Sequence, residues 1–210
     1  MSEETVLIVL KNIEPTKAAG IDNIPGRFIR DAASILARPI TQLCNLSFKL
    51  SAFPTRCKIA KLKPIYKKVC KTDSQNYRPI SLLLLISKIF EKIIHDQTQI
   101  YLSKNKILYR FQSCFRSNYW TNSCLAYLTN IISEGFDTGL YTGMILIDLQ
   151  KAFDTIDQKL LLEKMIYLVF SESTIKWFER YLSKRTFIVN INDKFLQLGN
   201  VTCGVPQGSI

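Results

Sequence analysis

This chain has very little histidine: His95 is the only one among 210 residues. That excludes any metal site needing two imidazoles and argues against a histidine-dependent catalytic triad, for which it leaves one candidate. His95 sits among Ile93, Ile94 and Asp96 in a helical pattern, and it reads as a partly exposed helix residue. The six cysteines (Cys44, Cys57, Cys70, Cys114, Cys124 and Cys203) lie ten or more residues apart. No pair has the two-to-four-residue spacing of a zinc knuckle, so free thiols in a reducing compartment are expected. Long apolar runs are also missing. Val6 to Leu10 and Leu82 to Ile86 are too short for a membrane span, and two glutamates before Val6 do not suit a signal peptide. An intracellular protein that is neither secreted nor in a membrane is the expectation. No low-complexity tract, internal repeat or flexible linker is present, and 47% hydrophobic with 21% charged residues is an ordinary globular composition.

Acidic residues are scarce too, 17 against 28 lysines and arginines, for a net charge of +11. The excess is concentrated. Residues 51–110 carry thirteen basic side chains against Asp73, Glu91 and Asp96. In Lys58-Ile-Ala-Lys-Leu-Lys-Pro-Ile-Tyr-Lys-Lys68 the basic residues alternate with apolar ones, as on a strand with one charged face. Such a face neutralises phosphates and releases counterions, which points to a polyanion and to nucleic acid above all. An anionic membrane surface is disfavoured, because no amphipathic helix in the region has an all-basic polar side.

Along the chain, Lys17 to Asp22 reads as a turn before a helix opened by Pro25. Ile29, Ala33, Leu36, Ile40 and Leu43 form a helical stripe that Pro39 should kink or split. Residues 57–66 read as a strand, Lys67 to Asn76 as a polar loop, and Ile86 to Ile100 as a helix face. A further helix over Ser123 to Ser133 should stop at a capping Gly135. Tyr141 to Asp148, rich in aliphatics, reads as a buried strand. Asp157 and Ser171 can cap two more helices, and Thr186 to Ile191 with Phe195 to Leu198 reads as a hairpin around Asn192-Asp193-Lys194. The fold class is α+β.

Met144-Ile-Leu-Ile-Asp-Leu-Gln-Lys-Ala-Phe-Asp154 is the stretch with most chemical content. It delivers Asp148 to the end of an apolar run, and a carboxylate there is half of what two-cation phosphoryl transfer needs, since magnesium takes one or two protein carboxylates plus substrate oxygens. Taken alone, such an aspartate is better explained as a cap or turn residue; the company it keeps reverses that. In Gly204-Val-Pro-Gln-Gly-Ser209, Pro206 stiffens the backbone, Gly208 permits close approach to a ligand, and Gln207 offers donors and an acceptor.

Six segments in order resemble the reverse transcriptases of non-LTR, LINE-type retrotransposons, those of jockey-like elements in particular. They are Lys17 to Pro25, Pro64 to Lys68, Asn76 to Leu82 with Lys88 to Lys92, Gln112 to Arg116, Ile147 to Asp154, and Gly204 to Ser209. The resemblance implies a right-hand polymerase, with fingers over about 1–135 and the start of a palm over about 136–210. It implies that Asp148 is catalytic and holds Mg2+ with the backbone of Leu149. Arg78, Lys67 and Lys68 would contact the nucleotide triphosphate, Phe153 would gate the sugar against a 2'-hydroxyl, and Gln207 with Gly208 would line the pocket. The implied partners are an RNA template, an RNA/DNA hybrid and deoxynucleoside triphosphates.

The paired aspartates that complete such a palm are not found, so an incomplete palm and an isolated chain without activity are expected. Cys114 stands where the family reads glycine, Tyr119-Trp120 replace a polar or glycine-rich run, and Gln158 takes the place of a histidine. Phe170 falls where glycine is common, at a site where a positive φ would strain it. Two alternatives stand beside the polymerase: a catalytically silent nucleic-acid-binding module, and a metal-dependent phosphohydrolase built on Asp148, Asp154 and Asp157.

Overall fold

A computed structural model describes residues 1–67, 70–191 and 194–208. Two compact units emerge, one made of residues 1–95 with 151–210 and the other of residues 96–150. Among the described residues no helix is long and apolar enough to cross a membrane.

The first unit is built on a mixed four-stranded sheet of order β2-β1-β3-β4, with β1 Ile59–Tyr66, β2 Tyr77–Leu82, β3 Thr186–Ile191 and β4 Lys194–Asn200. β1 pairs antiparallel with β2 and parallel with β3, while β3 and β4 pair antiparallel with a register shift between Ile188 and Asn190. The expected hairpin is therefore present, although its Asn192-Asp193 turn lies outside the described residues. Lys63 faces Ile80 and Ile65 faces Arg78 across β1 and β2. Side chains alternate along a strand, so the basic residues Lys61, Lys63 and Arg78 share one face, and Ala60, Leu62, Pro79 and Ser81 share the other.

Helices α1 Glu3–Lys11, α2 Gly26–Asp31, α3 Ala33–Lys49, the first half of α4 Leu85–Lys104, α6 Gln158–Tyr167 and α7 Glu172–Leu182 complete this unit. The core joins Val6 and Leu10 of α1, Ala37, Ile40 and Cys44 of α3, Ile89, Phe90 and Ile93 of α4, and Trp177 and Tyr181 of α7. Phe53 sits among three rings, with centroids 5.7 Å from Phe90, 5.4 Å from Trp177 and 5.0 Å from Tyr181, all edge to face. That geometry sets ring edges against the negative faces of their neighbours. The one polar atom of Trp177, Nε1, donates to Ser47 Oγ at 3.0 Å, so its burial leaves no unmet donor.

Several expectations need correction. The stripe from Ile29 breaks at Ala32, between α2 and α3, and α3 runs on through Pro39. Pro39 and Ile35 both lie on the solvent side, so the carbonyl that proline leaves unpaired faces water and the buried side carries the helix. Leu43 of the stripe is exposed. Gly135 lies inside α5 (Thr121–Asp137), and the stop comes at Gly139, whose φ of +70° lets Leu140 N donate back to Gly135 O. Positive φ falls on Val169 and not on Phe170. Most consequentially, residues 141–149 form no strand, and Ile145, Leu146 and Ile147 are each more than four-fifths exposed. A strand needs a neighbour for its amides and a cover for its apolar side chains, and no described residue pairs with this segment.

The caps behaved as the sequence reads. Asp157 accepts from Lys159 N and Leu160 N at the start of α6, and Ser171 accepts from Thr174 N at the start of α7.

Candidate nucleotide pocket

Three sequence-distant segments are knitted together by short backbone bonds in the first unit. Val205 N donates to Phe153 O and Gly204 N to Ile156 O, both at 2.8 Å, which ties the glycine-rich segment to the Phe153-Asp154 turn. Ser81 N donates to Gln207 O at 2.9 Å, which lays the same segment along the outer edge of β2. β2 ends the sheet order, so that edge is otherwise open to another strand. Gly204 is required twice over. Its φ is +79°, and a Cβ there would stand 2.7 Å from the carbonyl oxygens of Phe153 and Asp154. Gly208 also has positive φ and passes Ile80 closely enough that a Cβ would lie 3.2 Å from its methyl group.

Beneath this segment is a cavity of ≈ 240 Å³ lined by Ala60, Leu62, Pro79, Ser81 and Phe187 from the sheet, and by Asp154, Asn200, Thr202 and Gln207 from the loops. Apolar walls with a few convergent amides and hydroxyls are what a small-molecule site needs. Gln207 and Asp154 line it. Arg78 and Lys67 are exposed on β2 and just after β1, and Arg78 shares the sheet face of Lys63, opposite Pro79 and Ser81. Phe153 approaches through its backbone, and the residue is 40% exposed. Lys68 lies outside the described residues. Asp148 and Leu149 belong to the second unit, where both are exposed.

Two contributors carried no sequence signal. Gln158 Nε2 donates to Gly204 O at 2.9 Å across 46 residues, and Cys203 Sγ donates to Asp154 O at 3.2 Å, so both brace the loop. Gln158 was conspicuous in the sequence only as a departure from a family histidine; an amide donor there does the bracing.

The basic segment is not all surface. Lys58 is buried and its Nζ donates to Ser183 O at 3.0 Å, and Arg185 is buried with Nη1 donating to Tyr181 O at 3.1 Å. Both cations meet carbonyls left without intrahelical partners at the C-terminal end of α7, where the helix dipole also favours them. Burial, and secondly the nearby Arg185, hold the Lys58 ammonium below its ordinary pKa. Glu91 accepts from Ser87 Oγ at 3.1 Å and from the Tyr181 hydroxyl at 3.0 Å, and its burial pushes its carboxyl above the ordinary value despite Arg185. Burial likewise pushes the Cys44 thiol up to about 12 and the Cys57 thiol up to about 11, so both are inert as nucleophiles.

Among the described residues, no three histidine, cysteine, aspartate or glutamate side chains gather as a metal site. Asp157 serves as a helix cap through Oδ1, which accounts for it without a metal. The Asp148 carboxylate and the Leu149 carbonyl are hard oxygens, the kind of donor that magnesium takes.

A family model described as reverse transcriptase (RNA-dependent DNA polymerase) matches residues 65–210. The chain is 28% identical over 208 residues to the probable RNA-directed DNA polymerase from transposon BS of Drosophila melanogaster, covering 99% of this chain and 23% of that protein. It is also 28% identical over 208 residues to the RNA-directed DNA polymerase from mobile element jockey of the same fly, with the same coverage. A transposon TX1 uncharacterized 149 kDa protein of Xenopus laevis is 22% identical over 183 residues. The chain thus spans about a quarter of the length of the fly proteins it matches. The match covers more than half of the chain: this protein belongs to the reverse transcriptase (RNA-dependent DNA polymerase) family.

Proposed function

We propose that this chain is the fingers and the beginning of the palm of an RNA-directed DNA polymerase of a non-LTR mobile element, and that it binds an RNA/DNA hybrid and a deoxynucleoside triphosphate. The observation that carries this reading is the joining of Phe153-Asp154, Gly204 to Gln207 and Ser81 around one cavity by backbone bonds of 2.8 to 2.9 Å. Three segments that resemble polymerase blocks in sequence share one small pocket.

In this reading Gln207 and the backbone at Gly208 receive the nucleotide, and Phe153 screens its sugar. Arg78, on the sheet face opposite the cavity lining, and Lys67 offer cations to phosphate, the planar guanidinium being suited to paired oxygens. Lys61 and Lys63 on the face of Arg78 extend the positive strip that tracks a nucleic-acid backbone. Asp148 and the Leu149 carbonyl would hold Mg2+, which when bound stabilises the charge of phosphoryl transfer. As an isolated 210-residue chain it acts in this reading as a nucleic-acid binder without turnover.

Titrating a labelled RNA/DNA hybrid at several salt concentrations tests the binding. If about five phosphates are neutralised, log affinity falls against log salt with a slope of about −4 to −5. A flat dependence overturns the reading. In a primer-extension assay with magnesium or manganese no product is expected; incorporation that Asp148→Ala abolishes would show that the site is complete without further ligands.

A further inference from the structure

The second unit carries a surface that the nucleotide pocket does not use. From residue 97 to residue 133 there is no acidic side chain, while Lys104, Lys106, Arg110 and Arg116 stand among seven aromatic residues. The rings are not packed away: no residue of 96–150 is buried, and Tyr109 and Trp120 are 69% and 67% exposed. They are nonetheless ordered against one another. Phe111 lies 5.5 Å from Tyr109 and 5.6 Å from Tyr127 on α5, centroid to centroid, with the Arg110 guanidinium 4.3 Å above its ring. Arg116 donates to the carbonyls of Tyr109 and Gln112 and lies 4.2 Å over the Tyr119 ring, which staples the loop that presents them.

Aromatic faces interleaved with guanidinium groups, in a stretch with no carboxylate from residue 97 to residue 133, match unstacked bases on a polyanionic backbone. A partner without phosphate would leave Lys104, Lys106, Arg110 and Arg116 without a counter-charge, and a duplex keeps its base faces covered. We infer that the patch formed by Tyr109, Phe111, Trp120 and Tyr127 with Arg110 and Arg116 is a stacking platform for single-stranded RNA. The inference rests on the nucleic-acid reading above and adds a second binding surface to it.

The two tryptophans make the test direct, because Trp177 is 2% exposed and Trp120 is open to solvent. A short unstructured RNA oligonucleotide should quench the Trp120 component of the emission, and Trp120→Phe should remove that response. The same sequence as a duplex should quench far less. The double variant Phe111→Ala with Tyr127→Ala should weaken binding of the single strand about five- to hundredfold, with RNA/DNA hybrid affinity retained. Arg110→Ala, at an exposed position, should lower single-strand affinity and reduce its salt slope by about one. Unchanged Trp177 emission certifies the fold in each variant. Absence of Trp120 quenching by single strand, or equal quenching by duplex, overturns the platform. If hybrid binding by the basic sheet is absent while Trp120 quenching persists, it is the polymerase reading that fails.

Discussion

Between residues 1–95 with 151–210 and residues 96–150, the aliphatic and aromatic content is similar in kind, yet only the first set buries any of it. α3 and α5 are both 17-residue amphipathic helices. α3 has partners in α1 and α7 and buries Ala37, Ile40 and Cys44, whereas α5 leaves Leu125 and Ile131 exposed. Amphipathicity therefore specifies that a face is available for burial, and tertiary contact decides whether burial occurs. Residues 141–149 repeat the lesson for a strand pattern.

The sharpest way to break this comparison is to delete a ring from each region. Trp177→Ala removes a side chain held by Phe48, Phe53, Tyr181 and Ser47 and should cost about 3–5 kcal/mol in chemical denaturation. Leu125→Ala, at 55% exposure, should change stability by no more than about 0.5 kcal/mol. Comparable losses would mean that the second unit has a core of its own.

Gly204→Ala probes the loop, where the cost is steric and conformational. It combines positive φ with a Cβ colliding against two carbonyls, so a loss of about 2 kcal/mol is expected. Peptide-mapped alkylation should show Cys203, released from Asp154 O, reacting faster. Unchanged stability and reactivity would show that the loop is free to move away from the Phe153-Asp154 turn.

The smallest effect concerns Glu91. Its folded-state pKa is raised above the ordinary 4.5, so its favourable contribution is fully present below that value and is lost as pH rises through the folded pKa. Glu91→Gln keeps an acceptor for Ser87 and Tyr181 and should flatten that decline, so that the variant gains on the wild type as pH rises toward neutral. Melts across pH that still fall with the same slope in the variant would locate the dependence elsewhere.

Local chemistry was legible before any coordinates. Asp157 and Ser171 are caps because a short oxygen placed before an apolar helical pattern finds free amides; the strand expected over 57–66 follows from alternation and forms over Ile59–Tyr66, a 3-10 turn taking Thr55–Lys58; the hairpin of Thr186–Ile191 follows from its turn residues; the ordered segments ending in Gly204 to Ser209 pointed to the family. These properties depend on neighbours within a few residues, which the sequence itself supplies. What only the tertiary structure decided was pairing at a distance. It laid Gln207 on the edge of β2, put Gln158 on the Gly204 carbonyl, turned Lys58 and Arg185 inward to the end of α7, carried α3 through Pro39, and left Tyr141 to Asp148 without a sheet. Each of these depends on which surfaces meet, and a hydrogen bond or an apolar contact gains free energy only when its partner is there.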